Sequence, residues 1–248
     1  MRSSVIPRAR TFARCSLALA IAFAAPITTS AQNGGDAPRP VVGLKPGTSS
    51  YKVLVEAGGR TLIMDVVCTV KDLNGAWVVT ETSTMPGMTM TDEGTIEKKT
   101  LLLRKRVIRG PDVADLQFVG SRATGTITIK GQAYPIDKDM GGAIFADGPG
   151  GQDVIAALPL AHAYTTSFRN FDVLSQQVEV VQLRVMGTDT VSVPAGTFHT
   201  WKVLITSADG AYPQTGAIWV DKRSRRVVKM ASTVPQIRGA IGTAELIK

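Results

Sequence analysis

The sequence predicts a mainly β protein built on an antiparallel sheet, with one or two short helical turns. From Tyr51 onward, short runs rich in Val, Ile and Thr are separated by Gly, Asn, Asp and Pro, the pattern of strands joined by tight turns. Many runs alternate apolar and polar residues, and few windows show the 3.6-residue repeat of an amphipathic helix. Trp201, Val203 and Ile205, for example, share one face of their run. We therefore expect one face of the sheet to be buried.

The first 31 residues are predicted to be a signal peptide rather than part of the fold. Four arginines precede the apolar run Leu17–Pro26, and the small residues Thr29-Ser30-Ala31 follow it. This order is typical of a secretory signal cleaved near Ala31, and the apolar run is shorter than a membrane span needs. We expect a periplasmic or secreted protein with no transmembrane segment after cleavage. The alternative is an uncleaved anchor helix.

Removal of the signal changes both the net charge and the cysteine count. It takes away four arginines and no acidic residue, so the net charge falls from +8 to +4. A net charge of this size does not require a nucleic-acid partner. Cys15 is removed as well, which leaves Cys68 alone and excludes an intrachain disulfide. Because Cys68 lies in an apolar run, we expect a buried thiol rather than a reactive one.

Residues 32–50 are predicted to be a flexible leader, since they are rich in Gly, Pro and Ala without periodicity. Residues 51–248 are predicted to form a single β domain, because no linker or fixed repeat divides them. Asn74-Gly75 and Gly58-Gly59 favour the positive φ of tight hairpins. The predicted strands are Tyr51–Ala57, Thr61–Val70, Ala76–Ser83, one or two within Thr95–Ile108, Asp115–Val119, Ala123–Lys130, Gln132–Ile136, Val178–Met186, Thr190–Val193, Thr200–Ser207, Ala217–Val220, Arg226–Met230 and Gly242–Ile247.

The glycine-rich stretch Gly141–Gly151 is predicted to be a loop. It lacks the G-x-x-x-x-G-K-[ST] spacing of a phosphate-binding loop. Val154–Leu160 follows it and is predicted to form one or two helical turns, which Pro159 ends.

The C-terminal third contains a motif that hairpin formation can explain. Pro194-Ala195-Gly196 is predicted to be a turn, because Pro fixes φ and Gly has a permissive backbone. Phe198 and Trp201 follow as apolar anchors. Asp221 comes after a strand and before the polar hairpin tip Lys222–Arg226. We interpret Asp221 as a turn residue; a functional acid is the alternative.

This pattern, VPAGTF…W.V…WVD…R.VVK, resembles a broad family of uncharacterised exported bacterial proteins. Thr95–Arg104 and Leu158-Pro159-Leu160 are similar to that family as well. Those proteins look like relatives of the lipoprotein-localisation-factor fold. The resemblance implies that the antiparallel sheet curves into a half barrel, and it implies no assigned activity.

No catalytic residues are evident. His162 and His199 are the only histidines and do not have metal-ligand spacing. The sequence has neither a G-x-S-x-G elbow nor an H-E-x-x-H motif. We therefore predict a non-catalytic protein, with no catalytic residue, metal ligand or cofactor assigned. A hydrolase assembled from distant Asp, His and Ser residues is a less favoured alternative.

Two further clusters have a functional and a structural interpretation. Met85, Met88 and Met90 could bind Cu(I), which prefers soft ligands, or could line an apolar groove; we favour the groove and leave the metal question open. The basic runs Arg104–Arg106 and Lys222–Arg226 are interpreted as solvated turns, so no nucleic acid is expected.

The favoured hypothesis is that the concave face of the sheet binds a lipid or another apolar small molecule, at residues that the sequence does not identify. The alternative is a structural or protein-interaction module of the cell envelope, whose concave face is filled by its own side chains or by the leader. Whether the inner face is open and apolar or filled separates these hypotheses.

Overall fold

The computed structural model describes residues 37–173, 175–207, 214–234 and 239–248, and the predicted signal peptide lies outside these residues. The described chain is mostly β-strand with one short helix, which confirms the predicted fold class. The elements are β1 (Gly47–Ala57), β2 (Arg60–Leu73), β3 (Ala76–Met85), β4 (Met88–Glu97), β5 (Leu103–Arg109), β6 (Val113–Val119), β7 (Arg122–Ile129), β8 (Gln132–Asp139), α1 (Gly151–Ala156), β9 (Thr165–Asp172), β10 (Gln177–Val193), β11 (Gly196–Ser207), β12 (Gln214–Asp221), β13 (Val227–Val234) and β14 (Ala240–Leu246).

All fourteen strands belong to one antiparallel sheet, in the order β8-β7-β6-β5-β4-β3-β2-β1-β14-β13-β12-β11-β10-β9. The first and last strands of the chain thus pair with each other, and β8 and β9 form the two edges. Within the described residues these edges do not pair, so the sheet is not closed into a barrel. The Lys138 ammonium of β8 donates a hydrogen bond to the Gln176 carbonyl beside β10, 2.6 Å away.

One face of the sheet is buried, as the two-residue periodicity predicts. In β6, Ala114, Leu116 and Phe118 are buried, while the residues between them are exposed. Their partners across the ladder, such as Ala123 and Ile127, are buried too. We call this side the inner face and the opposite side the outer face.

Consecutive hairpins place their turns at alternate ends of the sheet. One end of the sheet holds the turns Gly58-Gly59, Pro86-Gly87, Gly110–Asp112 and Lys130-Gly131. We call this the hairpin end, and the opposite end, which holds the Asn74-Gly75 turn, the base.

Several boundaries differ from the sequence predictions. β1 begins at Gly47, four residues before the predicted domain start, and Leu44 of the predicted leader is buried. The strand β9 was not predicted, because its sequence TTSFRNFD lacks the Val and Ile alternation of its neighbours. β10 runs through a bulge near Gly187 as one strand instead of two. α1 begins at Gly151, three residues before the predicted helical turns.

Within the described residues, no helix combines the length and apolar character needed to cross a bilayer.

Candidate functional site

Residues 140–160 connect β8 to β9 across the inner face of the sheet, and we call them the inner segment. Phe145 packs edge-on against Phe168 of β9, with ring centroids 5.6 Å apart. Val154 and Ile155 of α1 are buried. The inner segment therefore fills the inner face from its middle towards the base.

The inner segment approaches the sheet closely because it has glycine at the start of α1. Gly150 adopts a left-handed conformation with φ +76°, and a Cβ there would lie 2.9 Å from the Val79 side chain of β3. Only glycine combines this backbone conformation with such close contact. The helix can therefore begin directly against β3.

The sheet presents a row of polar side chains to the inner segment. Cys68 of β2 lies opposite Glu81 of β3, which lies opposite Asp92 of β4. A Glu81 carboxylate oxygen accepts hydrogen bonds from the Gly150 amide (3.0 Å) and from the Gln152 side-chain amide (2.8 Å). Burial raises the pKa of Glu81, because desolvation penalises the ionised form more than these hydrogen bonds favour it.

A buried guanidinium ties the next strand to the inner segment. Arg106 of β5 donates to Asp92, with 2.7 Å between Nη2 and Oδ2, and to Asp147 of the inner segment at 3.4 Å. The three side chains are only 15%, 15% and 9% exposed. Burial raises the pKa of Asp147, although the Arg106 charge opposes this shift.

The last contact in the row joins Cys68 to the helix. The Cys68 thiol donates to Asp153 Oδ2 over 3.8 Å. Burial, followed by the charge of Glu81, raises the pKa of Asp153 to about 7. Burial and the Asp153 charge raise the pKa of the Cys68 thiol, which is therefore neutral and a poor nucleophile.

Towards the hairpin end the inner face becomes apolar and partly exposed. Leu62 of β2 is 43% exposed and Met90 of β4 is 37% exposed. Leu62 shares the inner face with Cys68 because β2 pairs with β1 without a bulge over this stretch, and Met90 shares it with Asp92 because β4 keeps a regular register with β3. Half-buried side chains complete this surface, which we call the apolar end: Val53, Val55, Met64, Val66, Met85 and Met88.

A cavity of about 400 Å³ adjoins the apolar end. Its wall includes the apolar side chains of Met90, Ile108 and Phe171, while Arg106 and Asp147 lie at its polar side. A neighbouring cavity of about 250 Å³ lies between the inner segment and strands β10 to β13, and it shares lining residues with the first. The larger cavity thus reaches the apolar end at Met90.

The described residues contain no group of three or more His, Cys, Asp or Glu side chains placed to hold a metal ion. This finding does not address a site made of methionines, so Cu(I) binding by Met85, Met88 and Met90 is still untested.

Residues 48–244 match the family described as "Protein of unknown function (DUF3108)". The chain belongs to the DUF3108 family. This agrees with the predicted membership of an uncharacterised bacterial β-sheet family, whereas the likeness to the lipoprotein-localisation factor stays a prediction. No curated protein matches the DUF3108 chain.

Several solved structures are similar to the DUF3108 chain. The β-barrel-like protein of the DUF1849 family from Brucella abortus is 12% identical, with a TM-score of 0.56, and the match covers 86% of this chain and 98% of that chain. The hypothetical lipoprotein YmcC from Escherichia coli is 9% identical, with a TM-score of 0.33, over 81% of this chain and 83% of YmcC. A Bacteroides fragilis protein with a YmcC-like fold is 9% identical, with a TM-score of 0.37, over 85% and 98% of the two chains. Only the first supports a barrel-like fold.

In the DUF3108 domain, His162, His199 and Asp221 lie in a loop and in two different strands. His162 is exposed in the loop before β9. His199 is exposed on β11 and bonds Thr190 through Nδ1 at 3.1 Å. Asp221 is buried and accepts hydrogen bonds from the amide (2.8 Å) and hydroxyl (2.6 Å) of Ser224, which fits the predicted turn role.

One prediction about the basic runs is wrong. The run Arg104–Arg106 lies in strand β5 rather than in a turn, and Arg106 forms buried ion pairs there, because its position in the ladder opposite Gly94 places it on the inner face. Glu81 and Asp92 were not singled out from the sequence either. A signal did exist: Glu81 continues the two-residue series of Trp77 and Val79, so alternation alone places a carboxylate on the buried face.

Proposed function

We propose that this protein is an exported, non-catalytic binding protein that holds an apolar ligand, such as a lipid acyl chain, at the apolar end of its inner face. The observation that carries the proposal is the contrast between the two halves of that face. The inner segment fills the half towards the base, while Leu62, Met90 and their neighbours leave the other half apolar and partly exposed.

The size and chemistry of the space suit such a ligand. The adjoining cavity of about 400 Å³ falls within the range of small-molecule sites, roughly 300–1,000 Å³. Transfer of a methylene from water to an apolar surface contributes about 0.8 kcal/mol. Several methylenes of one chain would therefore give useful affinity without any specific polar contact.

The methionines also suit a binding role. Met85 and Met88 face each other across the Pro86-Gly87 turn, and Met90 lines the cavity. Methionine side chains are flexible and polarisable, so they adapt to ligands of irregular shape. This agrees with the apolar-groove interpretation of the cluster.

Export to the periplasm or outside the cell is part of the proposal and rests on the signal-peptide pattern of residues 1–31. The inner segment narrows the ligand hypothesis, because a ligand can occupy only the hairpin end. A protein-interaction module of the envelope would use the same exposed apolar side chains against a protein, and it is the second candidate.

Native mass spectrometry of the protein purified from cells tests the proposal, followed by delipidation and rebinding of a fluorescent fatty-acid probe. We expect a co-purifying apolar molecule and saturable rebinding. A protein that carries no small molecule and fails to bind fatty acid, fatty alcohol and phospholipid probes would contradict the proposal. If it then retains a stable envelope protein, the second candidate is favoured.

A further inference from the structure

Besides backbone hydrogen bonds and apolar packing, carboxyl groups attach the inner segment to the sheet. Glu81 accepts hydrogen bonds from Gly150 and Gln152, and Asp153 accepts one from Cys68. These contacts join α1 and the loop before it to β2 and β3. They lie on the inner face, away from the hairpin end.

The charges of Arg106 and Arg226 oppose the raised pKa values of Glu81 and Asp153, but burial outweighs them. Asp92 and Asp147 both bind Arg106. Among the described residues, Glu81 and Asp153 form no ion pair and receive hydrogen bonds only from amide and thiol donors. The charged and titratable groups facing the attachment are Lys45 before β1, Tyr51 of β1, Cys68 of β2, Glu81 of β3, Asp92 of β4, Arg106 of β5, Asp147 and Asp153 of the inner segment, Glu179 of β10, and Arg225 and Arg226 before β13.

We propose that the contact between residues 147–153 and the sheet is a pH-sensitive latch, closed in mildly acidic solution and loosened as the solution becomes alkaline. When Glu81 and Asp153 are both ionised, two like charges share a poorly solvated contact, and their repulsion opposes docking. When Asp153 is protonated, the repulsion disappears and the hydrogen bonds remain.

The direction follows from proton linkage. Burial raises the pKa of Glu81, and burial with the Glu81 charge raises that of Asp153 to about 7. The docked state therefore binds the proton more tightly than the undocked state, so docking is strongest below the raised pKa and weakens as pH rises through it. For Asp153 alone, the opening constant increases by up to about tenfold per pH unit between the ordinary Asp pKa and about pH 7, and it levels off above that pH because both states are then deprotonated.

The latch matters to the proposed ligand site because both cavities adjoin it. Arg106 and Asp147 line the larger cavity, and Gly151 and Gln152 line the smaller one. Loosening of residues 147–153 would change the shape of the cavities that these residues line. This consequence rests on the proposed function, whereas the latch itself does not.

Hydrogen exchange with mass spectrometry, on the purified protein without added ligand, tests the latch. The reporters are the amides of Val154 and Ala157, which donate to Gly150 and Asp153 within the helix. After correction for intrinsic rates, we expect their opening constant to be about tenfold larger at about pH 8 than at about pH 6. Their opening constants should also exceed those of the β6 amides at both pH values, because buried core amides exchange only when a much larger part of the fold opens.

Variants identify the group responsible. Asp153→Asn should remove most of the pH dependence, and Glu81→Gln should reduce it. The matched control is Asp65→Asn, which removes a carboxyl from the outer face of the same strand as Cys68 and should leave the dependence intact. A pH-independent opening constant in the unmodified protein overturns the latch, even if a variant does not fold. An unchanged pH dependence in a folded Asp153→Asn protein overturns it as well.

Discussion

Gly148 lies directly against the guanidinium of Arg106, so that a Cβ at this position would stand 2.7 Å from Arg106 Nε. Gly148 also has a positive φ of +65°. Arg106 cannot move aside without weakening its bonds to Asp92 and Asp147. The contact thus holds the inner segment against β5 in one arrangement.

Gly148→Ala should destabilise the protein more than Gly131→Ala. Both changes place alanine at a positive φ, which costs about 1–2 kcal/mol, but Gly131 has open space where its Cβ would be. The clash at Gly148 should add about 1–3 kcal/mol. Urea denaturation of the two variants measures the difference, and equal losses of stability would refute the close-contact argument.

Arg106→Met should lower the free energy of unfolding by about 3–5 kcal/mol, because it leaves the buried Asp92 and Asp147 carboxylates without their cation. The control is Arg122→Met, which breaks the solvent-exposed pair with Asp137 and should change stability little. Chemical denaturation near neutral pH measures both. A small loss for Arg106→Met would mean that the ion pairs contribute little to holding the inner segment.

Global stability should fall as pH rises from about 5 to about 8. The pKa of Asp153 is raised by burial to about 7, so the folded state binds a proton that the unfolded state releases at lower pH. The stabilisation is complete below the ordinary Asp pKa and is lost as pH rises to about 7, and the part lost between pH 5 and pH 8 is roughly 2–3 kcal/mol. Glu97 affects stability only at more acidic pH, because hydrogen bonding from Thr100 lowers its pKa.

Denaturation curves of the unmodified protein and of Asp153→Asn, recorded at several pH values, measure how the free energy of unfolding changes with pH. It should change less with pH in the variant than in the unmodified protein. A profile that rises with pH in the unmodified protein would show that another group dominates.

Cys68 should resist alkylation in the native protein. Its thiol is buried and donates to Asp153, and burial raises its pKa, so little thiolate is present. Iodoacetamide should modify the unfolded chain rapidly and the native chain only through transient opening. Mass spectrometry over time measures both rates; comparable rates would place Cys68 in an accessible environment instead.

Much of the sheet could be predicted from local sequence, since alternation is a local property. The predicted strand Asp115–Val119 corresponds to β6, whose alternating burial has the period of two that such a strand requires. Turn residues such as Asn74-Gly75 correctly mark hairpins. The strand β9 was not predicted from the sequence, because its burial depends on Phe168 and Phe171 packing against the inner segment, which is a contact between distant parts of the chain.

The polar contact under the inner segment could not be found in the same way. The Gly141–Gly151 stretch was correctly predicted to be a loop, but its position on the inner face depends on tertiary packing. Glu81 and Asp92 lie at inner-face positions, yet their role becomes clear only when Gly150 and Arg106 are seen beside them. Arg106 was misplaced because a run of basic residues usually indicates solvent exposure.

The apolar end offers a direct test of ligand binding through two adjacent residues. Leu62 and Ile63 of β2 have similar exposure, 43% and 51%, but Leu62 lies on the inner face and Ile63 on the outer face. Titration of the delipidated protein with a fluorescent fatty-acid probe should give at least tenfold weaker binding for Leu62→Glu, equivalent to about 1.4 kcal/mol, and unchanged binding for Ile63→Glu. Equal affinity for both variants, or no saturable binding to the unmodified protein, would contradict a ligand site on the inner face.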